Sequence, residues 1–324
     1  MIRIAGVFLL SLIASIVANA RVWTSSAGST LEADLISISD DKVRFRPANG
    51  NILETSIYNL SEPDKAYLKG TDWQNEIYGS GTATALNKIL GFQLLNGKAF
   101  WQESTDAVAA RLSWRPVSKT DFMSSYRMES RRNARAQMES EGSHRAKPRR
   151  AYFYGKSGQP DYFLLVYDTI RDVQTTPENQ KHEAQLREQL NEEIEASYNQ
   201  IRTALSRLLG EPERQAFFNG RPAGHRMLRW DFGELAFLLS KDECFGLSLY
   251  IHRTEFANKN GRVEFTRTGL ETWFADNVEK RSNGDVVIKN LPMVSQGEGG
   301  FCVPATFERY LHYVGIPADM YTLA

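Results

Sequence analysis

The spacing of apolar and polar positions changes several times along the chain, and each change marks a different kind of element. Residues 4 to 18 are an almost unbroken apolar run behind one basic residue, Arg3, and the run closes on Ala18-Asn19-Ala20. A basic start, about fifteen apolar residues and a small-x-small end form the pattern of a secretory signal peptide, because a spanning helix needs roughly 20 apolar residues. Residues 1–20 are therefore expected to be removed, leaving an exported chain, periplasmic or extracellular. No later segment is apolar enough to cross a bilayer.

From residue 21 to 70 the period is two. Leu31, Ala33 and Leu35 alternate with polar neighbours, and so do Val43 and Phe45, which suits strands with one buried face. Ala27-Gly28, Asp40-Asp41 and Asn49-Gly50 separate the runs, and the last pair predicts a two-residue type I′ hairpin turn. "LSEPDKAYLKG" then predicts a short helix with Ser61 as cap, Pro63 in its first turn and Gly70 at its end.

Residues 71–268 read as an α+β middle region with a weak internal repeat. Helix "STDAVAARLSW" precedes strands "FMSSYRM", "RAYFYGK" and "YFLLVYD"; helix "YNQIRTALSRLLG" precedes "HRMLRWDF", "ELAFLLSK" and "FGLSLYIHR". Ser157-Gly158 and Lys241-Asp242 stand where the last two strands of each half would turn. Two αβββ units sharing one antiparallel sheet are expected. The second helix is long, with Thr176 and Pro177 at its start. Leu186, Leu190, Ile194, Tyr198, Ile201, Leu205 and Leu208 repeat at threes and fours along one stripe.

Between two of these strands lies "RMESRRNARAQMESEGSHRAKPRR", residues 127–150, with seven Arg, one Lys and three Glu. No aromatic interleaves the arginines as stacking on single strands requires, so the stretch reads as a basic loop and not as a nucleic-acid arm. The whole chain carries 39 basic and 39 acidic residues, and no global field favours nucleic acid or a membrane surface.

The chemistry sits in residues 269–324. "TGLETWFADNVEK" predicts a helix opened by Thr268 and Glu271 at capping-box spacing, and "DVVIKNLPMVSQ" a strand and an approach loop. After "GEGG" a helix is expected from Pro304 onward, with Phe307, Leu311 and Val314 as its apolar face. Cys302 thus stands at a helix start, where unpaired N–H groups and the helix dipole favour a thiolate. Gln296 offers a side-chain amide to an oxyanion, with the Cys302 N–H as second donor. The other cysteine is Cys244; a bridge between the two would remove the nucleophile. The five histidines and two cysteines are too scattered for metal-ligand spacing, so neither a metal nor another cofactor is expected.

Two resemblances follow from these residues. Trp23, Val43, Leu60, Asp64 and Tyr67 match the pattern of the first Sla-type homology domain, an SH3-like barrel that binds peptides in some adaptors. In exported bacterial proteins such modules are appended to many unrelated domains. The simplest role for Trp23 and Tyr67 is core packing. Pro292, Gln296, Cys302, Pro304, Ala305, Leu311, Tyr313 and Gly315 resemble the opening of papain-like cysteine peptidases of the bacteriocin-processing type, which cleave after double-glycine leaders. That resemblance implies Cys302 as nucleophile, Gln296 as oxyanion donor and a peptide or protein as substrate. Val303 stands where many members have glycine. The histidine base and its Asp or Asn orienter lie far downstream of the cysteine in that family. Here only His312 follows, ten residues along the same helix and roughly 15 Å of rise away.

The expectation is an α+β protein: an SH3-like barrel (21–70), an α+β middle (71–268) and the start of a papain-like domain (269–324), inactive by itself. The alternative is a non-catalytic envelope protein that binds a peptide or polymer through the SH3-like module.

Overall fold

The computed structural model describes residues 20–39, 41–98, 100–120, 123–128, 146, 148–168, 183–216, 226–242, 246–261, 266–294, 296, 301–316, 318 and 320–323. Residues 1–19, Cys244, His144, His182, His225, Thr176, Pro177 and most of the basic loop lie outside them.

The alternating N-terminal pattern folds as a meander of β1 (Arg21–Thr24), β2 (Thr30–Ser39), β3 (Lys42–Pro47) and β4 (Leu53–Ser56), hydrogen-bonded in that order. An antiparallel bridge between Ser25 and Leu60 brings the chain back to β1. Helix α1 (Glu62–Lys69) follows; the Ser61 hydroxyl accepts from the Asp64 N–H, Pro63 lies in its first turn and Gly70 ends it. The expected two-residue turn at Asn49-Gly50 is corrected. Phe45 pairs with Leu53, the loop is longer, and Gly50 alone of the two has a positive φ, 80°. The Gly50 N–H donates to the Pro47 carbonyl at 2.9 Å and the Asn51 N–H to the Asn49 side chain at 3.0 Å. The turn therefore closes one step earlier than the hairpin signal implied.

Helices α2 (Asp72–Tyr78) and α3 (Gly81–Leu90), absent from the sequence reading, join this module to the body. Helix α4 (Thr105–Leu112), capped by Ser104, leads into β5 (Arg115–Lys119), β6 (Met123–Arg127), β7 (Arg150–Lys156) and β8 (Gln159–Asp168). Helix α5 (Glu183–Leu209) leads into β9 (Glu213–Ala216), β10 (Arg226–Phe232), β11 (Leu235–Asp242) and β12 (Gly246–Arg253). The eight strands form one antiparallel sheet in the order β5-β6-β7-β8-β12-β11-β10-β9. Two halves of like design meet where β8 pairs with β12.

Each unit is thus αββββ rather than αβββ. The additional strands, β5 and β9, are the two outer edges. They are short and polar, and β5 holds Pro116, which an edge strand tolerates because its N–H is not needed in the ladder. The turn at Ser157-Gly158 is as expected, with φ of 49° and 77°. Lys241 and Asp242 instead belong to β11, pairing with Leu247 and Gly246.

The sheet is buried on both faces. Phe153, Phe163, Leu165, Trp230, Phe237 and Ile251 point to the face covered by the helices, and α5 supplies Leu190, Ile194, Ile201, Leu205 and Leu209. Tyr154, Tyr162, Leu164, Met227, Leu238 and Tyr250 line the opposite face, where Phe301, Ala305 and Met320 pack on them. Strands buried on both sides read as continuous apolar runs, which explains "YFLLVYD" and "LAFLLS". Among the described residues, no helix is long and apolar enough to cross a membrane.

Candidate active site

The C-terminal residues are built around a helix. After α6 (Thr254–Asn258) come α7 (Arg267–Asp276), a small ribbon of β13 (Val278–Lys280) and β14 (Val286–Ile288), then α8 (Cys302–Tyr313) and a last turn α9 (Met320–Leu323). The cap of α7 is Thr266, whose hydroxyl accepts from the Gly269 N–H, and not Thr268; Glu271 pairs with Arg267 at 2.8 Å instead. Thr266 lies one residue outside the first helical residue, the position from which a side chain reaches the third N–H.

Helix α8 begins two residues before Pro304, at Cys302 itself. The thiol is free and exposed. Phe301 occupies the cap position, and no side chain caps the first turn. The cap residue Phe301 has no side-chain acceptor to offer the Cys302 and Val303 N–H groups, and Pro304 after them has no N–H. Neighbouring Phe301 is buried against the sheet and fixes where the helix starts. Gln296 is exposed, six residues before the thiol, and residues 297–300 between them are outside the described set.

The inward face of α8 differs from the one its apolar pattern predicts. Phe307 is 58 % exposed, and Val303 and Tyr310 are exposed beside it. The buried positions are Phe301, Ala305, Glu308, His312 and Tyr313. Glu308 accepts from the Tyr154 hydroxyl (3.2 Å) and from the Met320 N–H (2.7 Å). His312 Nε2 lies 2.7 Å from the Ala318 carbonyl and 3.2 Å from the Tyr162 hydroxyl, which itself donates to Ala318 at 2.9 Å. A polar face was chosen because the sheet offers tyrosine hydroxyls there and the returning chain offers backbone groups. The i,i+4 spacing of Glu308 and His312 was the one trace of this in the sequence.

His312 therefore belongs to the packing of α8 against the sheet. Burial pushes its pKa down to about 4, against a smaller upward pull from the Ala318 carbonyl. His252, on β12, is also buried; it stacks on Tyr162 at 4.8 Å, and burial lowers its pKa to about 3. Neither of these two imidazoles is placed as an exposed partner for the thiol. Among the described residues, no three His, Cys, Asp or Glu side chains gather as a metal site.

The five residues of the N-terminal pattern do come together. Trp23, 2 % exposed, donates from Nε1 to the Ala33 carbonyl at 3.0 Å and packs on Phe45 and Tyr67. Asp64 accepts from the Thr24 N–H (2.8 Å), the Ser61 hydroxyl (2.9 Å) and Arg21 (3.1 Å). Burial raises the Asp64 pKa, but these three donors outweigh it and hold the carboxyl below its ordinary value. The Arg21 guanidinium lies 3.9 Å above the Tyr67 ring. Val43 and Leu60 complete this core. Beside it, Arg21, Tyr67, Trp73, Glu76 and Ser80 line a cleft of about 50 Å³.

Comparison of the chain with family models, with curated proteins and with solved structures finds no match in any of the three.

Proposed function

We propose that this is an exported protein carrying the N-terminal part of a papain-like cysteine peptidase domain, with Cys302 as nucleophile and Gln296 as oxyanion donor. The observation that carries the reading is a free, exposed thiol on the first residue of a twelve-residue helix without a side-chain cap. In the proposed reaction the Cys302 sulfur attacks a peptide carbonyl carbon and the carbonyl π electrons move to oxygen. That oxygen is held by the Cys302 N–H and the Gln296 amide; collapse then expels the amine and leaves a thioester for water to hydrolyse. A base must take the thiol proton, return it to the departing amine and then activate the water, and the two described histidines are buried. The chain alone is therefore proposed to capture an electrophile without turning over a peptide.

The test is labelling with a peptide electrophile, read by mass spectrometry. Selective modification of Cys302, slowed at least tenfold by Gln296→Ala, is expected. Labelling no faster than that of free cysteine, or unchanged by Gln296→Ala, would overturn the assignment.

A second reading is a non-catalytic envelope protein that binds peptide through the N-terminal module, which we propose to be SH3-like. The cleft beside Tyr67 and Trp73, with both aromatic and charged walls, favours it. Peptide binding that is lost on Trp73→Ala, with Cys302 inert, would make this the leading reading.

A further inference from the structure

The C-terminal elements hold to one another. Trp273 of α7 donates to the Tyr313 carbonyl at 2.9 Å, Phe274 stacks on Tyr313, and the Lys289 N–H donates to Asn277 at 2.8 Å. Their attachment to the body runs through the inner face of α8 and through residues 292–294, where the Met293 N–H donates to Ser118 at 3.0 Å. That inner face is unusual in holding a buried carboxylate and a buried imidazole. An apolar contact of the same area would hold at any pH.

The surroundings of His312 decide how it responds to a proton. From β7 comes Tyr154, with ring centroids 5.1 Å apart; from β8, Tyr162; and from β12, His252 stacked behind Tyr162. From residues 318–320 come a carbonyl and an amide. From α8 itself comes Glu308, whose two oxygens already accept from Tyr154 and Met320. A small crevice of about 10 Å³, lined by Ser118, Ser124, Tyr154, Pro292, Met293 and His312, lies beside the imidazole. A proton added here places a cation among aromatic rings, and a second would charge His252 behind it. Charging the buried His312 costs its hydration, and separation of α8 from the sheet removes that cost by exposing the imidazole to water.

We propose that the contact between α8 and the sheet is an acid-sensitive latch: protonation of His312 releases the C-terminal elements while the eight-stranded sheet stays folded. The sign follows from linkage. The His312 imidazole is more easily protonated in water than in the contact, so the latch is at full strength above about pH 6.5 and weakens as pH falls. Between pH 6.5 and 4, His312 alone can shift the equilibrium by about 80-fold. The proposal does not rest on the peptidase reading, since Cys302 and Gln296 take no part in it.

Hydrogen exchange at pH 7.5 and 4.5, corrected for the intrinsic rate, tests this on the unmodified protein. Protection of residues 302–313 is expected to fall at least tenfold at pH 4.5, while that of α5 and β11 is kept. In His312→Gln, which keeps a donor for Ala318 but cannot charge, α8 should retain at least threefold more protection than wild type at pH 4.5. Retained α8 protection at pH 4.5 in the wild type, or loss of α8 and sheet protection together, would overturn the proposal. Should His312→Gln fail to fold at pH 7.5, the wild type alone decides: loss of α8 protection is expected with a midpoint between pH 4 and 6.5, and a midpoint outside that window overturns the proposal. Loss of α8 protection in the folded variant at the same pH as in wild type also counts against the latch.

Discussion

The Gly233 N–H donates to the Ile36 carbonyl at 2.7 Å, and this one bond joins the N-terminal meander to the main sheet. Ser37 and Gly233 form a parallel bridge at the same point. The contact occurs at the tip of the tight β10–β11 hairpin, where Phe232 pairs with Leu235. Gly233 has a φ of 59°, and Tyr78 packs against its Cα so closely that a Cβ would lie 2.7 Å from the Tyr78 hydroxyl. That hydroxyl in turn accepts from the Glu234 N–H at 2.9 Å. Arg44 donates to the Leu209 carbonyl at 2.9 Å and adds a second tie between module and body. The module is thus docked on the body by a main-chain bond and by the Arg44 side chain.

Replacing Gly233 by alanine should destabilise the protein by about 2–3 kcal/mol, combining the left-handed conformation with the steric clash. Urea unfolding measures it. Tyr78→Phe in the same chain removes the crowding oxygen, so the double variant should lose less than the sum of the single losses. Strict additivity would mean that the two side chains do not compete for this space.

Asp64 should matter through its three donors. Asp64→Ala leaves the Thr24 N–H and the Arg21 guanidinium without their acceptor, and about 2–4 kcal/mol of stability should go with them. Because the folded carboxyl titrates below its ordinary value, this contribution is present above pH 4 and is lost as pH falls through the folded value. The stability difference between wild type and Asp64→Ala should therefore shrink below pH 4 and stay flat from pH 5 to 8.

On β10, Arg229 donates to both oxygens of Asp231 (2.8 and 2.9 Å), to Gln215 (3.0 Å) and to Asn258 (2.7 Å). Both charged side chains are largely buried. Asp231→Ala should cost about 3–5 kcal/mol, because it leaves a buried guanidinium with neutral partners only. Joint replacement, Arg229→Met with Asp231→Leu, should cost less than the single change. A thermal melt of the three proteins gives the order directly.

Asp161 behaves in the opposite sense to Asp64. Burial pushes its carboxyl up to about 6, against a smaller pull down from Lys156 and Arg253. The folded state therefore holds a proton that the unfolded state has released, and stability falls as pH rises from about 4 to 6. Asp161→Asn should stabilise the protein by about 1–2 kcal/mol at pH 7 and by nothing measurable at pH 4. An equal effect at both pH values would show that the carboxylate carries no burial penalty.

The sequence by itself determined the elements whose signals are local. Ser61, Pro63 and Gly70 bounded α1, the alternation through Phe45 set the inward face of β3, and the stripe from Leu190 to Leu205 set the buried side of α5. The fold class, α+β, and the pairing of two similar halves were also legible, since the long apolar runs can only be strands covered on both faces. Tertiary structure decided the rest. Edge strands β5 and β9 bury little of their own surface and are strands only because a neighbour offers a ladder. The side on which α8 is buried was fixed by Tyr154, Tyr162 and the carbonyl of Ala318, which satisfy Glu308 and His312 better than solvent-facing Phe307 is served by exposure. Periodicity ranks a helix face by its own hydrophobicity. Burial also depends on what the opposing surface can hydrogen-bond, and that surface comes from strands about 150 residues earlier in the chain.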